Sequence, residues 1–140
     1  MSRRESREAA IKLLFQYDFH GGSIEGLTRL FFENDAEFVS EKVEKEYVVE
    51  VTEGALSKYR EIDAIIEAHS KDWKISRMPR VDVAILRVAV YEILFEPGLD
   101  TGVSISEAVE IAKGYAEKES VGYINGILGA IAREREVENG

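Results

Sequence analysis

One apolar run, Asp82-Val-Ala-Ile-Leu-Arg87-Val-Ala-Val-Tyr91-Glu-Ile-Leu-Phe95, constrains the fold of this chain more than any other feature. Ile85, Leu86, Ala89, Val90, Ile93 and Leu94 recur at helical spacing, and Val83, Val88 and Phe95 fill most of the opposite face. A helix apolar nearly all round is a buried one, so the run predicts a central core helix around which others pack. It is too short to cross a bilayer, which takes about 20 apolar residues, and it carries Arg87 and Glu92. Pro79 suits a first helical turn, where its missing N–H costs nothing, and Pro97-Gly98 closes the far end. Arg87 is expected at the rim or paired with a carboxylate, since an unpaired buried charge is very costly. A cation held in a groove for a phosphate or a partner's carboxylate is the functional alternative.

The rest of the chain reads as helices of ordinary length. Residues 3–20 carry Ala10, Leu13, Leu14 and Tyr17 on one stripe, with Ser2 and Glu5 as a capping box and Gly21-Gly22 as a stop. Ser23 caps a second helix bearing Ile24, Leu27, Leu30 and Phe31, which Asn34-Asp35 breaks. A long third helix from Glu37 places Phe38, Val39, Val43, Tyr47, Val48, Val51 and Leu56 inward, with a bend at Gly54. A fourth, roughly 61–72, buries Ile62, Ile65, Ile66 and Trp73. Ser104 and Glu107 form a capping box for a sixth helix from Ile105 to Ala116. Ser120 caps a seventh, in which Tyr123, Ile124, Ile127, Leu128 and Ile131 face inward. Gly126 and Gly129 each cost about 1 kcal/mol in a helix, which points to close helix–helix contact. With no strand-like alternation and no internal repeat, the expectation is all-α, one domain over 1–140. Its halves are 1–78 and 79–136, followed by a frayed tail at 137–140.

Charge sharpens the picture. The chain carries a net charge of -9, which argues against indiscriminate coating of nucleic acid. From Glu33 to Glu53 eight carboxylates face Lys42 and Lys45, a local balance of -6, whereas Arg3, Arg4, Arg7 and Lys12 outnumber Glu5 and Glu8 by two at the start. Arginine on a first turn opposes the helix dipole, so this basic end is a candidate for a role beyond stability. There is no cysteine, hence no disulfide framework or thiolate site. No phosphate-cradling loop, nucleophile elbow or zinc-binding helix motif occurs. His20 and His69 fall at helix ends, where the dipole favours them. The expectation is a non-catalytic protein with no metal and no cofactor. The N-terminus lacks a signal-peptide core, so a cytoplasmic setting is expected.

Four segments then resemble one family in order along the chain. They are Arg3-Arg4-x-x-Arg7-Glu8-x-Ala10 running into Leu14-Phe15-Gln16-Tyr17, and Val81-Asp82-x-x-Ile85-Leu86-Arg87-x-Ala89-x-Tyr91-Glu92. The third is Val103-x-Ile105-Ser106-Glu107-Ala108-Val109-Glu110-Ile111-Ala112-Lys113, and the fourth Ser120-x-x-Tyr123-Ile124-Asn125-Gly126-Ile127-Leu128. Together they resemble the bacterial antitermination factors of the NusB family. The resemblance implies seven helices in two small packed bundles and an exposed arginine-bearing first helix. It implies pairing with ribosomal protein NusE, binding of boxA in nascent ribosomal RNA, and RNA polymerase readthrough of terminators. A related domain accompanies rRNA methyltransferases, but with no catalytic part following, the free factor is the closer likeness.

By that resemblance Arg3, Arg4 and Arg7 match the RNA-binding segment, a use that suits arginine's planar fork. Tyr123 matches an aromatic near RNA, and Lys113 and Ser120 match weaker backbone contacts. Core packing beside Ile127 is an equal alternative for Tyr123. Phe15 and Asp82 match positions near the NusE contact, where an acidic body would meet a basic ribosomal protein. Glu5 and Gly122 stand where the family often has a basic residue, which implies weak RNA binding without the partner. The alternative from another class is an acidic helical adaptor or homodimer that binds protein only.

Overall fold

In the computed structural model α5 (Arg80–Phe95) runs through the middle of the molecule, buried without a break from Asp82 to Ile93. Residues 3–34, 44–71, 73–96 and 98–139 are described, with side chains as far as Glu136. Around α5 pack α1 (Arg4–His20), α3 (Lys45–Ser57), α4 (Tyr59–Ala68), α6 (Thr101–Tyr115) and α7 (Lys118–Asn139), while α2 (Ile24–Asn34) rests on α1 and α3. The chain is all-α, with seven helices and one 3-10 turn at Ile75–Arg77 among the described residues. One continuous apolar core joins both halves of the sequence, from Leu13 and Leu14 through Val48, Ile62 and Leu86 to Ile124 and Leu128. Each such side chain contributes about 1.5–3 kcal/mol by leaving water.

Both charges on α5 are paired. Arg87 donates from Nε and Nη2 to Asp63 at 2.9 and 2.8 Å and from Nη1 to Asp18 at 3.2 Å. Glu92 receives Arg7, at 2.8 and 2.9 Å. These pairs run α1 antiparallel to α5 and pin α4 to the same axis. Gly54 serves α5 as well. A Cβ there would lie 2.5 Å from Cε1 and Cζ of Tyr91, so the glycine seats that ring rather than bending its helix.

Several expected details change. At α1 the N-cap is Arg3, with no side-chain cap, and Ser2 lies outside the described residues. So do Asp35 and residues 37–43, and α3 begins at Lys45. Gly21 does end α1, with φ 62°, and Ser23 Oγ does accept the Gly26 N–H at 3.1 Å. Leu30, however, points outward. α6 starts earlier than expected because Asp100 caps it by accepting the Gly102 N–H. Ser104 is then interior to α6, and Glu107 turns to Arg4 instead of completing a cap. Gly126 has nothing near where a Cβ would be, and Gly129 has only Arg133 of its own helix. Neither glycine marks a helix–helix contact. α7 runs on to Asn139.

Candidate functional site

Three regions hold the residues singled out above. The first is the start of α1. Arg3 Nε donates to Glu44 Oε2 at 3.1 Å, and its guanidinium lies 4.6 Å from the centre of the Tyr47 ring. Arg4 grips Glu107 with two bonds of 3.0 and 2.6 Å, a bidentate geometry of the strong charge-assisted kind. The Arg4 hydrogen bond holds the Glu107 carboxyl below the usual range, against the opposing effect of burial. Arg7 is a correction to the expected exposed trio. It is 4% exposed, its fork is committed to Glu92, and its Nη1 approaches Glu107 at 3.7 Å. Because α1 lies antiparallel on α5, position 7 faces the core while positions 3 and 4 reach the rim. The buried Tyr47 hydroxyl beside this pair titrates far above its ordinary range, first because it is desolvated and second because Glu92 is near.

The second region lies at the other end of α5. Asp82 is 0% exposed. Its Oδ2 accepts the Ser120 hydroxyl at 2.6 Å and the Tyr123 hydroxyl. Ser120 is buried and Asp82 is sealed beneath it, so neither offers a surface contact of its own. Instead they fix Tyr123, whose hydroxyl is pushed well above its ordinary pKa by burial and then by the Asp82 carboxylate. Trp73 stacks on Tyr123, with ring centres 6.2 Å apart and planes 11° from parallel. Trp73 is 57% exposed rather than buried as its neighbours Ile62 and Ile66 suggested. Asp82 and Glu92 are ten residues apart on one helix, so these two regions are separated by about 15 Å along its axis.

The third region is a groove of about 710 Å³ between α1, α6 and the start of α5. Ile11, Phe15, Phe19, Val81, Ile111 and Tyr115 make it mostly apolar, and Glu8, Lys12 and Arg80 stand on its edges. Phe15 meets Phe19 edge to face at 4.9 Å, and Phe19 is 62% exposed. Sequence periodicity missed this groove because Phe19 falls off the core stripe of α1. Lys113 sits on the outer face of α6, paired with Glu110 at 2.9 Å. The structure thus brings Ser120, Tyr123 and Asp82 together and sets Arg3 and Arg4 apart from them. Among the described residues no cluster of His, Cys, Asp and Glu could hold a metal, and no helix is long and apolar enough to cross a membrane.

Comparison with known proteins covers nearly the whole chain. The profile of the NusB family matches residues 4–133. Transcription antitermination protein NusB of Thermoanaerobacter sp. (strain X514) is 39% identical over 140 residues, 100% of this chain and 96% of that protein. The protein of that name from Clostridium acetobutylicum is 40% identical over 136 residues, 97% and 98% of the two chains. Among solved structures, T. maritima NusB is similar with a TM-score of 0.82 at 34% identity, covering 96% of this chain and 92% of that one. A structure of antitermination factors NusB and NusE in complex with dsRNA gives a TM-score of 0.82 at 27% identity, with 94% and 96% covered.

Proposed function

Because the chain belongs to the NusB family, we propose that it is a non-catalytic transcription antitermination factor of the cytoplasm. With ribosomal protein NusE it binds boxA in nascent ribosomal RNA and helps RNA polymerase read through terminators. The observation that carries this reading is the near-complete likeness to a protein solved with both NusE and RNA. The partner's place is the apolar groove bearing Phe15, whose exposed Phe19 and Tyr115 gain most by being covered. Its acidic and basic edges, Glu8 and Arg80, give a basic ribosomal protein a defined register. RNA then meets the Arg3–Arg4 rim.

That rim must exchange partners to bind RNA. Arg3 leaves an exposed carboxylate for a phosphate at little cost, whereas Arg4 leaves a part-buried, bidentate one at more. Protein free of NusE is therefore expected to bind weakly. The same pairing favours the second reading, an adaptor or homodimer that touches protein only, since no first-turn arginine is without a carboxylate.

Anisotropy of a fluorescein-labelled boxA RNA, with and without NusE across a salt series, separates the two. The antitermination reading expects tighter binding with NusE. It also expects the R3A/R4A variant to lose affinity and to flatten the salt slope by about 1.4, about 0.7 per lost phosphate contact. NusE binding that persists while RNA never binds would hand the protein to the adaptor reading.

A further inference from the structure

Between α4 and α5 the chain holds an exposed tryptophan on a fixed frame. The Ser70 hydroxyl lies 2.5 Å from the Trp73 carbonyl oxygen and 3.1 Å from that of Glu67. The Ile75 N–H donates to Glu67 Oε2 at 2.7 Å, and Arg80 donates to the carbonyls of Ile75 and Met78. Ile75 and Met78 are buried beneath. The backbone around Trp73 is anchored on both sides, yet the indole itself stays in solvent. Tyr123 lies nearly parallel to it and offset, and the buried Asp82 in turn holds Tyr123. A pair built this firmly, with its outer face open, gains nothing for folding from that exposure.

The surroundings are cationic. Lys71, Lys74 and Arg77 are all exposed, and none has an ion-pair partner among the described residues. On a chain of net charge -9, three cations against Asp72 leave a local balance of +2 over residues 71–77, which attracts an anion. An exposed aromatic ring flanked by cations that have no ion-pair partner among the described residues suits single-stranded nucleic acid, with bases stacking on the ring and phosphates meeting the charges. We propose that Trp73, with Lys71, Lys74 and Arg77, forms a base-stacking site for single-stranded RNA. Tyr123 acts as the rigid backing of that site and does not itself stack on a base. The proposal rests on the RNA-binding function above and adds a second place where the strand is held.

Trp73 is the only tryptophan in the chain, so its emission reports this site directly. The labelled boxA RNA is titrated into the full chain, with and without NusE, while anisotropy and RNA-induced quenching of Trp73 are followed together. The expected result is quenching with the same midpoint as the anisotropy. Trp73→Ala then weakens binding about 5- to 150-fold, the worth of one base–aromatic stack. Trp73→Phe keeps a ring and most of the affinity, and it also serves if the alanine variant folds poorly. K71Q/K74Q/R77Q lowers the salt slope by about 2. RNA that binds without quenching, with Trp73→Ala at wild-type affinity, overturns this site and leaves the antitermination function standing. Quenching by NusE alone reassigns the indole to the protein partner and also overturns it. Absence of RNA binding under every condition overturns both.

Discussion

Two short basic segments, the first turn of α1 and residues 71–77, look alike as charge but differ once folded. Arg3, Arg4 and Arg7 meet Glu44, Glu107 and Glu92, partners 41, 103 and 85 residues away along the chain. Lys71, Lys74 and Arg77 meet no carboxylate among the described residues. The segment richest in arginine is therefore the more neutral surface, and one of its three charges is not surface at all. Density of charge in a sequence says where cations are placed. Whether they are available depends on partners that only the fold supplies.

The sharpest break of this comparison is at Arg7. Arg7→Ala strands Glu92 without a partner inside the core, and losing one side of a buried pair costs about 3–5 kcal/mol. Urea unfolding should show that loss, while RNA affinity of the protein that remains folded stays near wild type. Unchanged stability with lost RNA binding would put Arg7 back at the interface. Glu107→Gln is gentler. It releases Arg4, so RNA binding should tighten two- to fivefold, equivalent to about 0.5–1 kcal/mol, with little change in melting temperature. No tightening would mean that Arg4 was already available.

The smallest effect concerns His69, the C-cap of α4, which bonds Ile65 O at 2.8 Å and Glu134 Oε2 at 2.5 Å. Burial disfavours its charged form, but the Ile65 carbonyl and Glu134 outweigh it and raise the pKa above the ordinary 6.5. The charged ring is thus favoured in the folded state. Its contribution is complete below about 6.5 and is lost as pH rises through the raised folded value. Stability measured from pH 6 to 8 should fall in wild type and stay flatter in His69→Gln, which tethers α4 to α7 without titrating.

Much of the fold was legible because hydrophobic spacing reports burial directly. The α5 run, the Ile62–Ile66 pair and the Ile124–Leu128 face all follow from it, as does the pairing of Arg87, since a buried charge has few alternatives. The candidate site was harder to read. Helical spacing does put Arg7 on the stripe of Ala10 and Leu14, but its charge points outward until the partner on another helix is known. Ser104-x-x-Glu107 matches a cap in sequence, but Asp100 caps first and Arg4 claims the glutamate. Gly126 and Gly129 are open rather than packed, and nothing in the structure explains why they are glycine. Hydrophobicity alone puts Trp73 with the core, and its exposure comes from the anchored turn between two helices.

The Arg7–Glu92 pair also has a bearing on synthesis. A ribosome adds about 5–20 residues per second, so α1 emerges roughly 4–17 s before the glutamate that neutralises it. Until then its inner face carries an unanswered cation beside Leu13 and Leu14, and the helix has only α2 and α3 to settle on. The first helix made therefore completes its buried ion pair only after most of α5 has been made.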